Sequence, residues 1–470
     1  MAEQAPEHDL CARVPPALAL RVFALLPADA RARAACVRRG WRDALATSGA
    51  WLHLDLSEKS GVAVKVNCAV FEAAAARAGG QLISLDVSGA RGAICDMLLL
   101  AAVKKNAAAL RELRAIKFHK PGRNPSLLPQ DVGRCAALTR ALLAAAPHLR
   151  VLEADMATDM ADAASVLRRQ EPFEQLSVAT LSIVNRGPVP ADTSPEALLE
   201  LCDVMAQNVS LRGLKLACVP LSSPEVFDAF VDAAVPQLTG LSFFMCELAP
   251  ACEPSLLRLL RSTELTDLCI ICESTGEPLI DAAAAPAVAE ALRANRTLTR
   301  LCLQSVKLWR DMGAAAAILG ALTAHPTLRI LDLRMNGLWD NVGDADAGKR
   351  AGTLLGALIF ADACQLKALD ISTCGLGDAV MALLLAALPK NHYLLWLVCG
   401  DNCMTRAFAH NRLLPAVKRN TSLIALSAQS KLPADEFNTP VDCRWTREAE
   451  AFVARERVAR RTAAMQAWSL

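Results

Sequence analysis

A chain of 470 residues is long enough for several ordinary domains, or for one extended repeat array with small attachments. Hydrophobic residues make up 53% of it against 21% charged, which supplies a core and excludes wholesale disorder. Lys plus Arg number 50 and Asp plus Glu 48, so the basic excess that nucleic acid or an anionic membrane requires is missing.

Residues 1–9 read as a disordered N-terminus. Glu3, Glu7 and Asp9 stand where a secretory leader carries basic charge, and no run of about 18 apolar residues follows anywhere in the chain. The expectation is a cytoplasmic or nuclear protein. Its 17 cysteines are then reduced and packed as small hydrophobes.

Residues 10–57 form the next segment. Leu18, Val22 and Leu26 fall at i, i+4 and i+8 with Phe23 beside them, one face of a short helix that Pro27 stops. Asp29 is placed to cap a second helix, and Val37, Trp41 and Leu45 stripe a third. Trp51 follows in a loop or strand-like stretch. Three helices this short make a core too small to be robust alone, and they need a surface to dock on.

From residue 58 to 430 one string recurs, LxxLxL with occasional Ile, Val, Phe or a small residue. It starts at Leu82, Leu113, Leu149, Val178, Leu211, Leu238, Leu265, Leu298, Leu328, Leu366, Leu394 and Leu423. Those starts span 341 residues in eleven intervals, a mean period of 31. Cys246, Asn336, Cys374 and Asn402 occupy the ninth position, where a polar side chain can satisfy the backbone of the turn leaving the strand. Ahead of the strings come helix-ending signals, Asn208, Asn295, Asn391 and Asn420 or Pro147, Pro236 and Pro326. Asn tolerates the left-handed cap conformation and Pro cannot continue a helix. Apolar runs at helical spacing lie upstream, such as Val288 with Leu292, and Ile318, Leu319 and Leu322. The unit is strand, loop, helix, turn, and such units bury their apolar faces only by stacking.

This pattern resembles the ribonuclease-inhibitor-like class of leucine-rich repeats. The resemblance implies an α/β solenoid, a horseshoe of about twelve repeats with a parallel sheet on the concave face and helices on the convex one. Residues between the leucines then face the concave surface. In the later repeats these are Asp267, Arg300, Gln304, Ile330, Asp332, Arg334, Asp370 and Trp396, a mixed patch with the composition of a protein-binding surface. An ordinary solvated sheet with Asp–Arg pairs across strands has the same composition.

The N-terminal segment resembles the F-box. The residues that carry it are Val14-Pro15, Leu18, Leu26-Pro27, Val37-Arg38-Arg39-Gly40-Trp41-Arg42 and Trp51, with Ala17 where the family often has an acid. Residues 77–90, RAGGQLISLDVSGA, resemble the first repeat of F-box proteins with leucine-rich repeats. The resemblance implies a substrate-recognition adaptor of an SCF-type E3 ubiquitin ligase. Pro15, Leu18, Val22, Phe23, Leu26, Pro27, Val37 and Trp41 would dock the Skp-type adaptor, which joins the cullin ligase subunits, while the solenoid holds a protein substrate. A free-standing repeat scaffold or inhibitor, and a GTPase-activating solenoid, are the rival readings. The sequence holds no GxxxxGK[ST], GxSxG, HExxH or GxGxxG, so no catalytic residue, metal, cofactor or enzymatic activity is expected.

Three stretches read as loops, 185–196, 272–286 and 336–350. The acidic last one lacks the terminal Glu of a calcium loop. Cys269 and Cys272 form a CxxC in a strand-like run, and three residues of separation put them on opposite faces. Residues 431–470 are expected to cap the array, with an amphipathic helix over 446–463.

Overall fold

A strand rise of about 3.3 Å with alternating side chains lets LxxLxL send its leucines to one side and its intervening residues to the other. The computed structural model describes residues 51–56, 67–87, 94–115, 141–154, 175–179, 195–272, 278–338, 345–360, 365–428 and 447–456. Leu138, Ala164, Leu167 and Arg168 are described in addition, and 209, 218, 220, 245 and 247 are not. The chain divides into two compact units, residues 1–214 and 215–470.

In the first unit, β1 (His53–Asp55), β2 (Ser84–Asp86), β3 (Glu112–Ala115), β4 (Val151–Ala154) and β5 (Gln175–Ala179) pair in chain order, all parallel. Their register stacks Leu54, Leu85, Leu113, Leu152 and Leu176 in one row. Helices α1 (Cys68–Arg77), α2 (Asp96–Lys105) and α3 (Pro195–Gln207) lie between strands in sequence. Asn67 starts α1 by accepting from the Val70 amide at 3.0 Å, and Gly79 and Gly80, at φ 60° and 85°, turn the chain toward β2. The strand β6 (Gly213–Ala217) spans the division between the units.

In the second unit, β7 (Gly240–Phe244), β8 (Asp267–Ile271) and β9 (Arg300–Gln304) are followed by β10 (Ile330–Asp332), β11 (Ala368–Asp370), β12 (Trp396–Val398) and β13 (Ala425–Ser427). They form a second parallel series in chain order. The helices are α4 (Pro224–Ala234), α5 (Glu253–Leu260), α6 (Ala285–Ala294), α7 (Met312–Thr323), α8 (Ala345–Phe360) and α9 (Gly377–Ala387). After β12, α10 (Arg406–Phe408) passes through a π-helical turn (Ala409–Leu413) into α11 (Leu414–Arg419), and α12 (Arg447–Glu456) follows β13.

In the second unit the repeats of β7 to β12 bury both strand leucines, while in the last repeat Leu423 is buried and Leu426 half-buried. Leu298, Leu301, Leu328, Leu331, Leu366 and Leu369 are buried, as are Val288, Leu292, Ile318, Leu319 and Leu322 on the helices. A fully buried Leu or Ile contributes about 1.5–3 kcal/mol, and stacking extends one continuous core through the series. Phe243 from β7 meets Phe227 and Phe230 of α4 edge-on, each pair with centroids 5.8 Å apart. At the far end, Glu450 of α12 accepts from the Ala428 amide at 2.6 Å, while Ala449 and Val453 are buried.

Leu113 pairs with Leu85, the fourth position of its repeat, so that repeat starts at Leu110 rather than Leu113. LRELRAIKF offers overlapping registers, and the one adopted buries both Leu110 and Leu113. Leu176 pairs with Leu152, which likewise moves the Val178 repeat back to Phe173. Leu54 pairs with Leu85, so WLHLDL is a further repeat and the sheet begins before residue 58. Trp51 takes the place of its first leucine and is buried, with the Arg77 guanidinium 5.3 Å over its ring. From Trp51 to Leu423 there are 372 residues and twelve intervals, and the mean period is again 31.

Asn295, Asn391 and Asn420 have φ of −66°, −86° and −73° with ψ of 137°, 129° and 137°, extended rather than left-handed. Their side chains, not their backbones, are what the position uses. All three presumed loops are partly helical as well, and α6 begins at Ala285 inside 272–286. Helix α3 begins at Pro195 inside 185–196, and α8 begins at Ala345, so Asp346, Lys349 and Arg350 are helical rather than loop residues.

Candidate functional site

The β strands of the second unit set three rows of side chains on the solvent-facing side of the sheet. The first row runs Gly240, Asp267, Arg300, Ile330, Ala368, Trp396, Ala425 in register. The second runs Ser242, Cys269, Cys302, Asp332, Asp370, Val398, Ser427. One turn further along each strand, Phe244, Ile271 and Gln304 make a third row.

Arg334 leaves the end of β10 and folds back between two carboxylates. Its Nε lies 3.0 Å from Asp332 Oδ1 and 3.4 Å from Asp370 Oδ2, and its terminal nitrogen is 2.8 Å from Asp332 Oδ2. Asp332 also accepts from the Arg334 amide at 3.0 Å, and Asp370 accepts from the Ser372 amide and hydroxyl at 2.9 and 2.6 Å. Burial pushes the Asp370 carboxyl above the ordinary aspartate range, against the opposing pull of Ser372 and Arg334. Arg300 is looser, with its Nε 3.9 Å from Asp267, whose carboxyl is also raised by burial more than Arg300 lowers it.

Trp396 is half-buried, with alanines at 368 and 425 as its register neighbours on either side. Gln304 donates to the Met335 sulfur at 3.1 Å, and Met335 itself is exposed. The structure therefore brings Asp332, Arg334 and Asp370 into one ion cluster. It pairs Asp267 with Arg300, and sets Ile330 and Trp396 in the same row as that pair. Pro15, Leu18, Val22, Phe23, Leu26, Pro27, Val37 and Trp41 lie outside the described residues.

The turns that leave the strands are held by side chains. Asn336 donates to Leu303 O at 2.6 Å and Leu333 O at 2.9 Å, and accepts from the Leu308 amide at 3.1 Å. Asn402 does the same two repeats on, donating to Ile371 O at 2.8 Å and accepting from the Cys374 amide at 3.0 Å. Where Cys replaces Asn, its thiol still donates, Cys374 to Leu333 O at 3.2 Å and Cys246 to Leu216 O at 3.5 Å. One feature of the face went unread in the sequence, the contact of Cys269 with Cys302. The spacing signal is present, because both are fifth in their LxxLxL strings, but a CxxC pattern along the chain points to Cys272 instead.

Among the described residues no group of three or more His, Cys, Asp or Glu is placed to hold a metal ion. Among the same residues no helix is long and apolar enough to cross a membrane.

The strand ladder, the row of buried leucines and the ninth-position side chains define a leucine-rich-repeat solenoid. No family model matches the chain, and no curated protein does. Solved structures match at low identity. The leucine-rich repeat-containing protein LegL7 from Legionella pneumophila is 15% identical with a TM-score of 0.37, over 56% of this chain and 78% of that one. The Rad7 and Elc1 complex in yeast gives 13% identity and a TM-score of 0.34, over 65% of this chain and 83% of the other. The tropomodulin C-terminal domain of Caenorhabditis elegans gives 16% and 0.27, over 40% and 96%.

Proposed function

We propose that this chain is a protein-binding solenoid that serves as the substrate receptor of a Skp–cullin–F-box ubiquitin ligase. The observation that carries the binding role is the sheet face around Arg334 and Trp396. A guanidinium already oriented by two carboxylates and an indole flanked by alanines are a preorganised polar contact and an aromatic anchor, the two residue types that dominate protein interfaces. The face carries both signs of charge, which suits a mixed polypeptide surface better than a polyanion. The ligase role is supported by the spacing of Pro15, Leu18, Leu26-Pro27, Val37 and Trp41.

One observation favours the free-standing scaffold as the second reading. Trp51, which the F-box resemblance takes as its second Trp, is spent on the first repeat of the solenoid. The segment before it would then be an N-terminal cap. Co-purification of the full chain with a Skp-type adaptor separates the two. The ligase reading expects a stable complex that Leu18→Asp with Phe23→Asp abolishes, and it fails if the intact chain never retains the adaptor. Trp396→Ala and Arg334→Glu should leave that complex intact while releasing the solenoid's own ligand.

A further inference from the structure

We propose that Cys269 and Cys302 form a reversible dithiol–disulfide site on the solvent-facing side of the sheet, oxidised by small disulfides of the glutathione type. The proposal is independent of what the face binds.

The register places the two residues opposite each other on β8 and β9. Neighbouring strands lie about 4.8 Å apart, inside the window of about 4.4–6.8 Å between Cα atoms that a disulfide needs. Both occupy the second row, so both side chains leave the sheet on the same side. Cys272, the partner that sequence spacing offers, is three residues on and lies among different neighbours. Its amide donates to Gln304 O at 3.1 Å, and burial pushes its thiol up to about 11.

The two thiols are unequal, as an attacking and a resolving thiol must be. Cys269 is half-exposed and Cys302 is buried. The neighbouring Cys302 thiol is the largest cause that lowers Cys269 below the ordinary thiol range. Burial opposes it, Ser242 and Arg300 assist, and Asp332 opposes. For Cys302 the same contact raises the thiol, with burial second. Elsewhere burial pushes Cys202, Cys374 and Cys399 up to about 12, and Cys403 is raised by burial and Asp401. A thiolate that is reachable by solvent and backed by a second thiol is the arrangement that undergoes exchange.

The chemistry runs in two displacements. The Cys269 thiolate attacks one sulfur of the small disulfide RSSR, forming the mixed disulfide Cys269–S–SR and expelling RS⁻, which takes up a proton. Cys302 then loses its proton to solvent, attacks the Cys269 sulfur and expels the second RS⁻. Two protein thiols and one RSSR become one protein disulfide and two RSH, and excess thiol reverses both steps.

The test incubates the full chain with oxidised glutathione at pH 7, blocks the remaining thiols, and maps the peptides by mass. A Cys269–Cys302 crosslink that dithiothreitol removes is expected. In Cys302→Ser, which lacks the resolving thiol, glutathione should be trapped on Cys269. Cys302→Ala, with circular dichroism of both variants, separates a folding defect from a missing resolving thiol. The proposal is overturned if folded Cys302→Ser carries glutathione on Cys95 or Cys403 while Cys269 remains free. A Cys269–Cys272 link in the wild-type chain overturns it equally.

Discussion

Asn420 donates from its Nδ2 to the backbone oxygen of Asn391, the equivalent residue of the preceding repeat, at 2.8 Å. The relationship is part of a ladder. Asn420 also donates to Leu388 O at 2.7 Å, Asn391 donates to Ile359 O, and Asn295 donates to Leu260 O at 2.8 Å. Each Oδ1 meanwhile accepts from the amide three residues on, Leu423, Leu394 or Leu298, at 2.7–2.8 Å. One side chain thus closes its own turn and ties it to the helix end of the repeat before. Asn391→Ala should cost about 2–4 kcal/mol, because the Leu394 amide and the Ile359 carbonyl would be left buried without it. A urea midpoint near that of the wild type would show that water replaces the side chain at no cost.

The ladder shows which parts of this molecule could be read from sequence. The asparagines were visible, yet a left-handed backbone was the wrong reason for them. Their use lies in contacts 29 to 35 residues away, which no local rule reports. Ser262 and His325 hold the same position, accepting from the Leu265 and Leu328 amides at 3.3 and 3.2 Å, and their identity hides the equivalence. Repeat existence and period were legible because twelve strings repeat one physical demand. Register at Leu110 and Phe173 was not, since overlapping strings satisfy the same pattern and the neighbouring strand chooses between them. On the sheet face, the alternation identified Arg334 as outward, but the convergence of Asp332 and Asp370 upon it depends on adjacent repeats stacking in register.

Two helical glycines should respond oppositely to the same change. Gly320 in α7 has nothing within 4 Å of where a Cβ would stand, so Gly320→Ala should stabilise by about 0.5–1 kcal/mol through backbone entropy alone. A Cβ on Gly352 in α8 would lie 2.9 Å from Val380 O and 2.8 Å from Leu383 Cδ1, and one on Gly356 would lie 3.1 Å from Leu383 O. The leucine tip can move but the helix backbone of α9 cannot without parting the two helices. Gly352→Ala should therefore lose about 1–3 kcal/mol despite its better helix propensity. Parallel thermal melts of the two variants decide it, and a stabilised Gly352→Ala would show that α8 and α9 separate freely.

Four successive repeats place a residue other than glycine in the left-handed region at the eighth position: Ser305, Met335, Thr373 and Asp401, at φ 56–58°. The conformation is imposed by the next repeat. The Ser305, Met335 and Thr373 amides donate to Arg334 O, Ser372 O and Gly400 O at 3.1, 3.1 and 2.9 Å. Thr373 is the costliest occupant, because a β-branched side chain crowds that backbone most. Thr373→Asn should keep the amide bond, relieve the crowding and stabilise by about 1 kcal/mol. Thr373→Pro should be strongly destabilising, since it removes the donor and forbids the positive φ. Equal urea midpoints for Thr373→Asn and wild type would show that the turn bears no strain there.

His325 makes the protein sensitive to acid. It is buried, its Nδ1 accepts from the Leu328 amide at 3.2 Å, and its Nε2 has no hydrogen-bond partner. An accepting Nδ1 requires the proton on Nε2, so the neutral ring fits and a second proton has to displace the Leu328 bond. Burial, aided by Arg296 and Arg329, lowers the imidazole to about 4. An unfolded histidine titrates near 6.5, so the unfolded chain takes up this proton first as pH falls. The contribution is complete above about 6.5, declines below it, and is lost by about 4, where the difference amounts to about 3 kcal/mol. His325→Asn keeps the acceptor for Leu328 without a titrating group. Its urea midpoint should fall less than the wild type's between pH 7 and pH 4.5, after the carboxylates common to both have acted equally. Identical slopes for the two proteins would mean that His325 takes up its proton as readily in the fold as in the unfolded chain.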